Sequence, residues 1–195
     1  MTRPHEDIQH HTAVDHRPGG PTIRFSPNSW CAIDVVHVRS DRVEAGVSSY
    51  ETLIEKARTS SAKAGVSAVL RSLDNRRVIV LVTLGGHDAF NHLKSAWDDH
   101  HLRAEKHTVA ESSALALYQL VHAIGEVGLD PQAKNVYAIE HIAVDPEKAW
   151  AIAQTTAQAT GFQGALVFGS DDQTASVLIY QFEHPSEFAV ARTFG

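Results

Sequence analysis

Two short runs of this chain carry nearly the same message. Residues 31–38 read Cys31-Ala32-Ile33-Asp34-Val35-Val36-His37-Val38, and residues 137–144 read Tyr137-Ala138-Ile139-Glu140-His141-Ile142-Ala143-Val144. Each precedes a stretch of helical spacing, a glycine and two β-rich runs. The first pair of runs closes on Gly86-His87-Asp88-Ala89-Phe90, the second on Glu183-His184-Pro185-Ser186-Glu187-Phe188. A degenerate internal repeat constrains the fold more firmly than any single motif, because one supersecondary unit must satisfy both copies.

The pattern predicts a strand over 31–39, then a loop from Asp41 to Gly46. A helix capped by Ser48 or Ser49 follows, with Tyr50, Leu53, Ile54 and Ala57 at helical spacing as far as Lys63. Val66–Leu73 and Arg76–Leu84 read as a hairpin turning at Asp74-Asn75. Asp88 caps a second helix whose apolar face is Ala89, Phe90, Leu93 and Trp97, and residues 114–124 supply a fourth strand. This is the β-α-β-β-α-β order of a ferredoxin-like unit. The second copy runs from a strand over 136–144 through a helix from Pro146 to Thr160 into strands over 162–169 and 175–182. Its second helix is barely begun and no fourth strand follows.

The expected fold class is therefore α+β: two ferredoxin-like units, the first complete and the second partial, with antiparallel sheets packed as a barrel. The expected divisions are an irregular arm over 1–27, the first unit over 28–126, a linker over 127–134 and the partial second unit over 135–195. A partial unit leaves an open sheet edge. Either Thr22–Phe25 or a second copy of the chain, in a homodimer, pairs with it.

Bulk properties narrow the function. A net charge of −6 over 195 residues argues against nucleic acid as partner, since phosphate binding wants a basic face. No apolar run approaches the roughly 20 residues that cross a bilayer, so no membrane role is expected. The opening residues resemble no signal peptide, and a single cysteine, Cys31, excludes an internal disulfide. A cytoplasmic protein fits these features. No phosphate loop, nucleophile elbow, zinc-binding His-Glu-x-x-His or dinucleotide fingerprint is present. His10-His11 and Asp15-His16 have no spacing that defines a metal site, and no metal is expected.

Alternation along the first strand places Asp34, Val36 and Val38 on one face and Ile33, Val35 and His37 on the other. Glu140 takes the place of Asp34 in the second copy, and His141 points the opposite way. A carboxylate in the middle of an apolar strand is costly to bury without a partner. Asp34 and Glu140 either pair with arginines across the barrel or act as bases with raised pKa. Tyr118 is a further polar candidate on the fourth strand.

The second helix, His87-Asp88-Ala89-Phe90-Asn91-His92-Leu93-Lys94-Ser95-Ala96-Trp97-Asp98-Asp99-His100-His101, resembles that of the dimeric α+β barrel superfamily, in particular its antibiotic-biosynthesis-monooxygenase branch. The resemblance covers residues 30–124 and, in part, 135–190. It implies a pocket between the sheet and the helices of a unit, lined by the first strand and the second helix. That makes His92, His37 and Asp34 the catalytic candidates, with Trp97, Tyr118, His101, Glu140 and His141 as substrate-binding ones. The implied activity is a cofactor-independent oxidoreductase or cyclase of secondary metabolism. It removes a proton from a small aromatic or polyketide-like substrate in an apolar pocket. The superfamily also implies two alternatives. One is a heme-binding or heme-degrading protein with His101 as axial ligand, in which Asp34 departs from the expected Asn. The other is a non-catalytic ligand-binding or structural barrel.

Overall fold

A computed structural model describes residues 12–16, 23–60, 64–106, 110–112, 115–129, 136–184 and 186–187, without the side chains of 12–16, 57–60, 64, 100–106 and 110–112. In chain order the elements are strands β1 (Thr12–His16), β2 (Ile23–Arg24) and β3 (Trp30–Val38), helix α1 (Val43–Ser60), and strands β4 (Ala64–Ser72) and β5 (Arg77–Leu84). Helix α2 (His87–Lys106) follows, then β6 (Ala110–Ser112), β7 (Ala116–Ile124), β8 (Gly128–Leu129) and β9 (Val136–Ile142). Helix α3 (Pro146–Thr156), β10 (Phe162–Ser170) and β11 (Ser176–Phe182) complete the described chain.

Most expected elements stand within a residue or two of their predicted bounds. Helix α1 is one exception, beginning at Val43 rather than near Ser48. Val43, Val47, Tyr50 and Ile54 are all buried at spacings of three and four, so the apolar stripe extends the helix through Gly46. Helix α3 starts as expected: Asp145 Oδ1 accepts from the backbone N–H of Lys148 at 3.0 Å, and Pro146 occupies the first turn. It stops at Thr156, four residues early, and Gly161 turns the chain into β10 at φ 74°, a conformation that favours glycine.

Every strand pairing is antiparallel, and the pairings return to their start: β3 to β5, β5 to β4, β4 to β1, β1 to β9, β9 to β11, β11 to β10, β10 to β7, and β7 back to β3. The same scheme occurs twice. β3 lies between β5 and β7 as β9 lies between β11 and β1; β7 crosses to β10 as β1 crosses to β4. The fourth strand of the second unit is thus supplied by Thr12–His16, within the segment expected to be an irregular arm. Thr22–Phe25 does not fill that edge. Its Ile23 and Arg24 pair with Leu129 and Gly128, inside the expected linker.

The ring has two faces. Cys31, Ile33, Leu70, Ile79, Leu81, Tyr118, Leu120, Tyr137, Ile139, Leu166, Phe168, Val177 and Ile179 point inward as one core. Outside, α1 and α2 cover Ala32, Val36, Val78, Val80 and Val82, and α3 covers Ala138, Ala165, Val167, Leu178 and Tyr180. The β2–β8 ribbon closes one end of the interior: Ile23, Val127 and Leu129 join the inner core, Phe25 meets Phe168 edge-on at 5.3 Å, and the Tyr137 hydroxyl donates to the Gly128 carbonyl at 2.7 Å. Gly164 marks how closely this closure is packed. A Cβ there would lie 2.6 Å from the Ile124 carbonyl oxygen and 2.7 Å from Val127 Cγ2. Gly164→Ala is therefore expected to destabilise the fold by about 1–3 kcal/mol through overpacking, read as a lower denaturant midpoint at unchanged m-value.

Candidate functional site

Alternation along β3 divides the candidate residues between two places. Asp34 faces the helices, in the layer with Ala32 and Val36, while Val35 packs against the inner core, which puts His37 on the barrel's inner face.

Under the helices Asp34 is 0% exposed, and the indole Nε1 of Trp97 donates to its Oδ2 at 2.6 Å. Trp97 is 1% exposed and packs on Tyr50 with ring centroids 5.2 Å apart. Its single N–H is thus spent on Asp34 and its faces on the core. Trp97 is a core anchor, not the aromatic wall against a flat substrate that the resemblance implies. Buried Tyr50, Leu53, Leu93 and Val80 surround the pair. His92 is exposed on α2, turned away from the buried line of Ala89, Leu93 and Trp97, so the structure does not bring it to Asp34. Glu140 is likewise 0% exposed and shares a face with Ala138 on the α3 side of β9. The side chain of His101 lies outside the described residues, and with it the group on which the heme alternative turns.

At the end of the barrel opposite the β2–β8 ribbon, the inner face turns polar. His141 stands beyond Ile139 on β9, and Tyr118 projects inward from β7. Their rings meet edge-on at 6.1 Å although their strands are not neighbours. His37 ends the inward row of β3, and its register partner on β5 is Arg77. Directly opposed residues on adjacent strands share a face, so Arg77 joins the same rim. Its side chain is 11% exposed, and its Nη1 lies 3.9 Å from Asp74 Oδ2. Sequence reasoning missed Arg77; its pairing with His37 was the available signal, once the hairpin register was fixed.

Electrostatics differentiates these groups. Burial pushes the Tyr118 hydroxyl up to about 12, with the carboxylates of Asp172 and Asp34 adding to the rise. Asp172 is ionised, held below the usual carboxylate range by the Ser170 and Thr174 hydroxyls. Tyr118 is thus a neutral phenol at any physiological pH, able to donate. His141 is exposed at the rim, and partial loss of water around its ring lowers its pKa below 6.5, so it is a neutral imidazole near pH 7. Cys31, buried with its pKa raised to about 12 by desolvation, is chemically quiet. Among the described residues no cluster of three His, Cys, Asp or Glu side chains is disposed to hold a metal, and no helix is long and apolar enough to cross a membrane.

No protein-family model matches the chain, and no curated protein matches its sequence. Solved structures do match. An anthrone oxidase-like protein superimposes with a TM-score of 0.68 at 10% identity, covering 88% of this chain and 80% of that one. A protein provisionally described as a monooxygenase from Fusobacterium nucleatum gives 0.53 at 15% identity, with 87% and 82% covered. Another so described, from Lactobacillus acidophilus, gives 0.51 at 10%, with 84% and 81% covered. At identities this low, what the chain shares with these proteins is their ferredoxin-like α+β fold.

Proposed function

We propose that the chain is a cofactor-independent enzyme that removes a proton from an acidic carbon or phenol of an apolar aromatic substrate held at the polar rim of the barrel. The observation that carries this reading is the Tyr118–His141 pair: a neutral imidazole beside a neutral phenol, above an apolar interior. His141 is the base, Tyr118 donates to the developing oxyanion, and the Arg77 guanidinium beside His37 stabilises negative charge on the substrate. The resulting carbanion then reacts with oxygen or with a carbonyl of the same molecule, giving a monooxygenase or a cyclase. Asp34 and Trp97 support the wall rather than act on substrate. The fold likeness to an anthrone oxidase-like protein is consistent with the oxygenating branch, but the rim chemistry is what recommends it.

Anthrone itself is the test substrate, because its methylene is acidic and its oxidation is simple to follow. Deprotonation at that carbon, electron transfer to dioxygen and loss of water give the quinone, consuming one O2 and releasing one H2O per molecule. Accelerated oxygen uptake with matching quinone absorbance, in metal-free buffer, is the expected result. A rate equal to that of buffer alone, for anthrone and for hydroxylated anthrones, would sink the oxygenase branch. Absence of any product by mass spectrometry from polyketide-like diketones as well would sink the enzyme reading.

A further inference from the structure

The rim is charged unevenly. On one side, β3 runs out into Arg39 and Arg42, and β5 begins beside Arg76 and Arg77. The backbone N–H of Val38 donates to the Arg76 carbonyl at 2.9 Å, and His37 stands opposite Arg77, so the four arginines gather on one stretch of the barrel's edge. Two carboxylates serve all four. Asp41 accepts from Arg39 through two hydrogen bonds of 3.2 and 3.4 Å and lies 3.8 Å from Arg42. Asp74 lies 3.9 Å from Arg77, and among the described residues the guanidinium of Arg76 is in no ion pair. Partial burial opposes ionisation of Asp74, but the Ser72 hydroxyl, the Arg76 backbone N–H and the charges of Arg77 and Arg76 hold it below the usual carboxylate range. Arg71 and Glu44, next to this group, pair at 2.8 Å and cancel. Four guanidiniums against two carboxylates leave two positive charges in excess here, in a chain of net charge −6. The opposite side is acidic. β5 and β11 begin at the same end, across the ring from one another, and the turn into β11 carries Asp171 and Asp172. Burial and then the charge of Asp172 raise the Tyr118 hydroxyl, so this acid stands near the Tyr118–His141 pair.

From this polarity we infer that the arginine edge is an anion subsite, and that the ligand of the rim is an aromatic compound bearing a permanent carboxylate, a reading that rests on the rim being the substrate site. Like charges crowded on one edge repel, and an incoming carboxylate relieves that repulsion. A guanidinium presents its N–H donors as a fork that matches the two oxygens of a carboxylate. The contacts of Arg39 and Arg42 with Asp41 are more than half exposed, and exposed pairs of this kind are weakly held, so they yield readily to a ligand. The acids across the mouth repel the same group. The ring therefore enters in one orientation, its carboxylate on the arginine edge and its uncharged end, with the acidic carbon, toward His141 and Tyr118. Anthrone itself leaves the arginine edge unused.

The test is binding rather than turnover, measured by calorimetry on the full chain with anthraquinone-2-carboxylate and its uncharged counterpart, anthraquinone-2-carboxamide. At low ionic strength the carboxylate is expected to bind about tenfold tighter, the ratio that one hydrogen bond to a charged group supplies. Salt at about 0.5 M should shrink that ratio. The double variant Arg39→Gln/Arg76→Gln removes the two excess charges at exposed positions. It should bring the ratio close to one and leave the affinity for the carboxamide unchanged. Arg39→Lys/Arg76→Lys keeps the charges and should keep most of the preference. Arg24→Gln, exposed on β2 at the closed end, should leave the ratio intact. Equal affinity of the wild type for both compounds overturns the subsite, as does a ratio that survives the double glutamine variant or falls as far in Arg24→Gln. Binding of neither compound overturns it together with the rim reading. The full preference, with no product from anthrone or an anthrone carboxylate, would support the subsite and refute the enzyme, so the two failures are told apart.

Discussion

Trp97→Phe is expected to destabilise the protein by about 3 kcal/mol, far more than the loss of a few buried atoms would suggest. The reason is what the substitution leaves behind. Asp34 lies fully buried between β3 and the helices, and the indole N–H donates to its Oδ2 at 2.6 Å. Phenylalanine keeps an aromatic ring near Tyr50 but takes this donor from Oδ2 of a fully buried carboxylate. Breaking one side of a buried charged hydrogen bond costs about 3–5 kcal/mol, whereas replacing both partners by apolar groups can be close to neutral. The discriminating measurement is a double-mutant cycle in denaturant. Trp97→Phe should cost markedly less in an Asp34→Leu background than in the wild type. Equal costs in both backgrounds would mean that Trp97 acts through packing alone and that Asp34 is held by other groups.

That pair also shows what the residue pattern could convey. Alternation along residues 31–38 is enough to set Asp34 apart from His37, and the structure keeps them on opposite faces of β3. The hairpins, α2 and the twofold recurrence of the unit were legible for the same reason: local periodicity and turn chemistry agree with the tertiary fold. His92 stands off the candidate site because the phase of α2, not the family likeness, decides which side chains turn inward. Ala89, Leu93 and Trp97 repeat every four residues, which puts His92 a quarter-turn off the buried line.

β1 was invisible for a different reason. Thr12–His16 carries a single aliphatic residue larger than alanine, and its pairing partners lie more than fifty residues away on β4 and more than a hundred away on β9. Its strand character comes from its place between those two strands, not from its own propensity. Arg77 is not legible as a rim residue, because a charge at the start of a strand looks like a solvated end. Only closure of the ring turns that end into a rim.

Loss of His141 is expected to carry the largest functional effect. If the rim removes a proton from substrate, His141→Ala should lower kcat/KM toward anthrone by about 100- to 10,000-fold, the usual range for a positioned general base. His92→Ala, on the exposed side of α2, should change it little. The pH profile supplies a signature that structural damage would not. A histidine whose pKa is lowered by desolvation sheds its proton below 6.5, so the active base form builds up as pH rises through that lowered value. Wild-type kcat/KM should therefore climb from acid to a plateau with a midpoint below 6.5, and His141→Ala should be flat over the same range. Added imidazole should restore part of the rate to the alanine variant if a cavity at the rim admits it. Tyr118 offers an internal check: with its hydroxyl pushed up to about 12 it cannot serve as the base, so Tyr118→Phe should depress the plateau without moving the acid limb. A wild-type midpoint at or above 6.5, or an acid limb that survives His141→Ala, would move the base elsewhere on the rim, with His37 the next group to test.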